Sequence, residues 1–172
     1  MRDHHHRHHP LAAAPRLLLA AAMTLMAACT SVDCVLEHDV RTAYAIYQGE
    51  TPDTLHDTLT VTSRRRNGKD TLLLNRGVNI SAFKLQISRM NPTDTLVFTI
   101  TDTLGGRTSD TLWLSKRDMP HFESVDCQAL YFHQIEDVRY TRQRIDTIII
   151  NSSFVDNDPY RTHFHITFKN RR

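Results

Sequence analysis

The chain has 172 residues, with 21 Lys and Arg against 19 Asp and Glu, 11 His and three Cys. That near balance offers no basic footprint for nucleic acid. No G-x-S-x-G, H-E-x-x-H or glycine-rich phosphate loop occurs, so the common catalytic signatures are absent and no cofactor is implied.

The N-terminus reads as an address. Met1–His9 carries Arg2, Arg7 and five histidines, and after Pro10 and Arg16 comes LLLAAAMTLMAAC, Leu17 to Cys29. A basic start, a short apolar run and a small-residue ending describe a secretory signal. The run is well short of the roughly 20 residues needed to cross a bilayer as a helix. Its ending LMAAC resembles the bacterial lipobox, in which cleavage precedes a cysteine that becomes diacylated. The resemblance implies a signal over residues 1–28, lipidation of Cys29, a tether over 29–40 and a folded domain over 41–172. Thr30 after the cysteine favours an outer-membrane lipoprotein of the cell envelope, bound to the membrane through its lipid. Removing Arg2, Arg7 and Arg16 together with Asp3 leaves the mature chain formally neutral.

Along the rest of the chain the apolar period is two. Strands are predicted at Tyr44–Tyr47, at TLTVTS from Thr58, at Leu72–Leu74 and at FKLQIS from Phe83. They continue at TLVFTIT from Thr95, TLWLS from Thr111, Ala129–His133, Ile145–Ile150 and HFHITF from His163. Threonine, β-branched and aromatic residues dominate these segments, as suits a half-buried pleated surface. The expected fold is all-β: an antiparallel β-sandwich of immunoglobulin-like architecture with about eight strands.

Two hairpins have a predicted register. Asn67-Gly68 is a type I′ turn signal that pairs Val61 with Leu74 and Ser63 with Leu72. A three-residue loop, Gly105–Arg107, pairs Phe98 with Leu114 and Ile100 with Leu112, keeping both apolar faces on one side.

The tripeptide D-T-L begins at Asp53, Asp57, Asp70, Asp94, Asp102 and Asp110, and D-T-I begins at Asp146. Aspartate caps a turn and threonine opens a strand, so each copy predicts a strand start. The uneven steps between copies exclude a solenoid. The tripeptide also resembles the O-glycosylation sequon of exported Bacteroidota proteins, which makes Thr54, Thr58, Thr71, Thr95, Thr103, Thr111 and Thr147 candidate acceptors.

Lipobox, early cysteine Cys34, D-T-L series, later cysteine Cys127, Asp146–Ile150 and closing HFHITF together resemble small Bacteroidota lipoproteins of a domain-of-unknown-function family. The resemblance implies address and fold, and no activity. With Cys29 assigned to lipid, Cys34 and Cys127 are the remaining pair for a disulfide in an oxidising compartment.

Few residues suggest chemistry. His163 and His165 have a spacing that would put two imidazoles on a zinc ion, which makes a zinc-dependent hydrolase the enzymatic alternative. Alternation instead puts them on the polar face opposite Phe164, Ile166 and Phe168, no third ligand can be assigned, and a solvated face is the preferred reading. Asp156-Asn157-Asp158 reads as a turn rather than a calcium loop, because Pro159 interrupts the pattern. Arg64, Arg65, Arg66 and Lys69 make a basic hairpin tip able to meet an anionic surface. Trp113, the one tryptophan, is expected on the outer face between Leu112 and Leu114. A noncatalytic binding or structural accessory with a protein partner is expected, with a glycan-binding module as the alternative.

Overall fold

Alternation decides which side chains meet. Leu59 and Val61, Leu96, Phe98 and Ile100, and Leu112 and Leu114 all turn inward and are buried. The computed structural model describes residues 40–65, 68–89, 91–122, 127 and 129–169. The strands there are β1 (Arg41–Gln48), β2 (Thr51–Pro52), β3 (Thr58–Ser63), β4 (Thr71–Gly77), β5 (Ala82–Gln86) and β6 (Thr93–Thr101). They continue as β7 (Arg107–His121), β8 (Leu130–Tyr140), β9 (Ile145–Ile150), β10 (Phe154–Val155) and β11 (Phe164–Phe168). The all-β prediction holds, with eleven strands rather than about eight. The two-residue strands β2 and β10 are too short to leave a periodic trace.

The larger sheet runs β10-β8-β7-β6-β3-β4, and the smaller runs β2-β1-β11-β9, with β5 also bonded to β1. Tyr44 of β1 lies opposite both Phe83 of β5 and Phe164 of β11, and the three rings stack at 4.9 and 4.8 Å. Phe98 meets the stack edge-on from the other sheet, 6.1 Å from Tyr44. Each such ring pair contributes about 0.5–1.5 kcal/mol beyond area burial. This cluster joins the two sheets.

One pairing departs from the antiparallel sandwich expected. β1 and β11 are parallel, with Tyr44 opposite Phe164 and Ile46 opposite Ile166, so the smaller sheet is mixed. Both strands leave the same end of the sandwich, and no local pattern marks a pairing so distant in sequence.

Both hairpin registers also need correction. Val61 does pair with Leu74, but a bulge follows, so Ser63 meets Thr71 and Leu72 is 51% exposed. Asn67 and Arg66 lie outside the described residues. In the second hairpin Phe98 lies opposite Asp110, and Leu96 opposite Leu112. The loop is Asp102–Gly106, five residues long. Asp102 Oδ1 accepts from Leu104 N at 2.8 Å and Gly106 N at 2.9 Å, and Gly105 sits at φ +88°. A Cβ on Gly106 would fall 2.7 Å from Asp102 Oδ2. The carboxylate therefore ends β6 earlier than apolar matching suggests, and Leu104 is left in solvent.

β7 and β8 are longer than their predicted cores. Beyond the last β6 pair, Thr93 with Ser115, they continue as a ribbon to His121 opposite Leu130, flanked only by the short β10 at His133 and Gln134. A bulge between Ser115 and Lys116 lets Ile135 and Val138, three residues apart, both face the core. That break in alternation hides the strand from a period-two reading.

Candidate functional site

The D-T-L copies have separate fates. Asp57 and Asp70 immediately precede β3 and β4, as predicted, whereas Asp94 and Asp146 occupy the second position of β6 and β9. Asp102 caps the β6–β7 loop, so Asp102–Leu104 is a turn and not a strand start. Asp110 lies inside β7, buried at 1% exposure. Strand-start chemistry accounts for only part of the series.

Asp110 builds one end of the molecule. Its Oδ1 accepts from Thr141 Oγ1 at 2.6 Å and Gln143 N at 2.7 Å; its Oδ2 accepts from Arg144 N at 2.7 Å and Ile145 N at 2.8 Å. Burial alone would raise its pKa, but the four donors together hold it below the usual carboxylate value. The clamp fixes the corner where the chain crosses from β8 in one sheet to β9 in the other. Arg144 on that corner then pairs with Asp57 at 2.8 Å. Its Nε is buried and has no partner among the described residues.

Beside this pair opens a cleft of about 480 Å³. Ile46, Leu55 and Phe168 form its apolar base, and Asp53, His56, Asp57, Arg144 and Lys169 supply polar groups. His56 Nδ1 lies 2.9 Å from Asn79 Oδ1, and Lys169 Nζ donates to the Arg142 carbonyl. The cleft therefore offers cations and carboxylates side by side. It can take a ligand that both donates and accepts hydrogen bonds.

A model of a family of unknown function, DUF6452, matches residues 58–168, most of the chain. The chain belongs to that family. No curated protein and no solved structure matches it. The matched DUF6452 segment runs from β3 to β11 and includes the Asp110 clamp and Arg144. β1, β2 and the Asp53–Asp57 wall of the cleft precede it.

The opposite end of the DUF6452 domain holds a second polar cluster. Lys116 continues the inward alternation of Leu112 and Leu114, and its side chain is fully buried. Its Nζ lies 2.6 Å from Asp118 Oδ1 and donates to the Asn91 carbonyl at 3.0 Å. The same Asp118 oxygen lies 2.6 Å from His133 Nδ1. Burial pushes the His133 pKa down against the pull of Asp118. Asp94 lies in this region at 4% exposure, and burial raises its pKa although Ser88 N donates to it at 2.9 Å. Lys116, Asp118 and His133 form a charge-balanced tie at the base of the ribbon. No motif marks these three in the sequence, although the inward phase of Lys116, in step with Leu112 and Leu114, is a signal of a buried charge.

His163 corrects the expectation of a solvated histidine face. It precedes β11 and is buried, accepting Ala43 N on Nδ1 at 2.9 Å. That bond requires an unprotonated Nδ1, and burial, aided by nearby Arg161, lowers the ring's pKa. His165 instead stacks on Tyr47 at 4.1 Å. The two imidazoles have separate partners and do not converge as a metal pair. Among the described residues no group of three His, Cys, Asp or Glu could hold a metal.

Asp156-Asn157-Asp158 is a turn as predicted: Asp156 Oδ1 accepts Asp158 N, and both carboxylates hold Arg161, at 3.1 and 3.4 Å. Arg64, Arg65 and Lys69 are exposed. Trp113 is half-buried beside buried Leu112 and Leu114. None of the seven candidate threonines is buried, and Thr103 is the exposed one. Cys29 and Cys34 lie outside the described residues; Cys127 follows the β7 end of the ribbon.

Proposed function

We propose that this chain is a noncatalytic, lipid-anchored accessory of the cell envelope that binds a protein partner or joins an assembly. In this reading it is a Bacteroidota outer-membrane lipoprotein, acylated on Cys29 after removal of residues 1–28. The observation that supports it best is the polarity of the domain. The chain enters β1 from Val40, and the 480 Å³ cleft lies at the opposite end, beside the close of β11. A tether over 29–40 would present that cleft away from the bilayer. A Cys34–Cys127 disulfide would fasten the tether to the ribbon, contributing up to about 4.7 kcal/mol for a loop near 100 residues.

In the native host the protein should partition into detergent, and Cys29→Ser should release it or block processing. A soluble wild type with a free Cys29 thiol would overturn the anchor. Pull-downs from solubilised envelope with wild type and with His56→Ala/Lys169→Ala then test the cleft. The partner should be lost from the variant, and its retention would place binding elsewhere. Two titratable thiols in denatured, unreduced mature protein would refute the disulfide.

Glycan binding is the second reading, favoured by the mixed donors and acceptors of the cleft. Release of the protein from the partner by soluble envelope saccharide would distinguish it. Among the glycosylation candidates Thr103 is preferred, since its loop is exposed whereas Asp94 and Asp110, which precede Thr95 and Thr111, are buried.

A further inference from the structure

The Val40 end carries a surface that the cleft reading does not use. Arg41 opposite Gln86 puts the close of β5 at that end, and the Ser88–Asp94 bond carries the contact across to the larger sheet. Arg64 N donates to the Thr95 carbonyl at 2.8 Å, so the basic β3–β4 tip lies there too. The β7–β8 ribbon projects from the same end, beyond the start of β6. Phe122, just past β7, is 68% exposed. Exposed Arg89 has its guanidinium 5.6 Å from the ring of Tyr131 on β8.

Nearby carboxylates do not cancel these arginines evenly. Asp118 is held by Lys116 and His133, and Asp156 and Asp158 hold Arg161. Glu136 lies 3.7 Å from Arg117, and Asp70 is exposed beside Lys69. Arginine next to half-exposed aromatic rings is the side-chain chemistry of the headgroup region. There guanidinium groups meet lipid phosphate and rings sit at the boundary with the acyl chains.

We propose that Arg64, Arg65, Arg89, Phe122 and Tyr131 form a bilayer-contact surface that seats the domain on anionic phospholipid headgroups. The occupant is the membrane in which Cys29 is anchored, and this inference therefore rests on the lipoprotein reading. The tether of residues 29–40 can reach at most about 40 Å when extended, which keeps the Val40 end within that distance of the bilayer. Contact there fixes orientation as well as distance, and directs the cleft outward.

The test uses the full mature chain with Cys29→Ser, so that no acyl chain contributes. It should sediment with phosphatidylethanolamine–phosphatidylglycerol vesicles and not with phosphatidylcholine vesicles. Arg64→Ala and Arg65→Ala should each weaken binding roughly fivefold, and raised salt should abolish it. Phe122→Ser should weaken it further while circular dichroism and melting stay unchanged. Equal sedimentation with both vesicle types, or unaltered binding by the double arginine variant, would overturn the surface. Intact mass of native-host protein decides the anchor separately: vesicle binding without acylation in the wild type removes the anchor alone.

Discussion

Asp94 and Asp110 are the same tripeptide used at opposite ends of the sandwich, each where the chain changes sheets. Asp94 bonds the segment between β5 and β6, and Asp110 bonds the segment between β8 and β9. Both are almost fully buried. Yet burial raises the pKa of Asp94, whereas four donors hold that of Asp110 down. Burial alone does not make a carboxylate stabilising; the number of donors aimed at it does. Three of the Asp110 donors are successive backbone amides of one corner, so removing the carboxylate orphans them together.

The largest expected effect is therefore at Asp110. Asp110→Ala should destabilise the domain by about 3–5 kcal/mol in urea unfolding, because it strips a buried clamp of its acceptor. The same variant should loosen Arg144 and its pair with Asp57, and so weaken any ligand of the cleft. The pH dependence follows from the direction of the shift. A folded pKa below the unfolded value of about 3.9 makes the Asp110 contribution complete above that pH. It is lost as pH falls through the depressed folded value. Asp110→Asn should flatten this acid slope of stability. An unaltered slope would mean that the clamp is not charged in the fold.

Asp102 sharpens the comparison with a carboxylate on the surface side. It also accepts two backbone amides, but within an exposed loop where water can replace it. Asp102→Ala should cost about 1 kcal/mol, well under the loss at Asp110. Amide exchange of Leu104 and Gly106 should accelerate while that of Ile145 does not. Equal losses at Asp102 and Asp110 would show that burial contributes nothing to the clamp.

The strand faces were legible because period two is a local property. Phe83 and Leu85, then Leu96, Phe98 and Ile100, and Phe164, Ile166 and Phe168 all turned inward as expected. Register was less legible, since aspartate looks like a turn residue wherever it stands. Nothing in DTLWL says that Asp110 faces Phe98 across a ladder and accepts bonds from a corner more than 30 residues later. The ribbon was hidden by its bulge and by charged outer faces. His163 escaped because it precedes β11 and does not follow that strand's alternation. The polar residues that build the cleft come from the β2–β3 segment, the β8–β9 corner and the close of β11. Only the fold brings them together.

Asp94→Asn is expected to have the smallest effect, and its sign is the sharper test. A raised folded pKa means that the fold prefers protonated Asp94, so this group's contribution is favourable below about pH 3.9. It is lost as pH rises through the elevated folded value. Asparagine keeps an oxygen to accept Ser88 N and cannot ionise in this buried place, but it also gives up the attraction of nearby Lys116. These effects oppose each other, and the net change at pH 7 should lie within about 0.5 kcal/mol of zero. Lowering the pH should then reveal the difference, because wild type gains from protonating Asp94 while the variant does not. A loss at neutral pH as large as that of Asp110→Ala would overturn the distinction between the two aspartates.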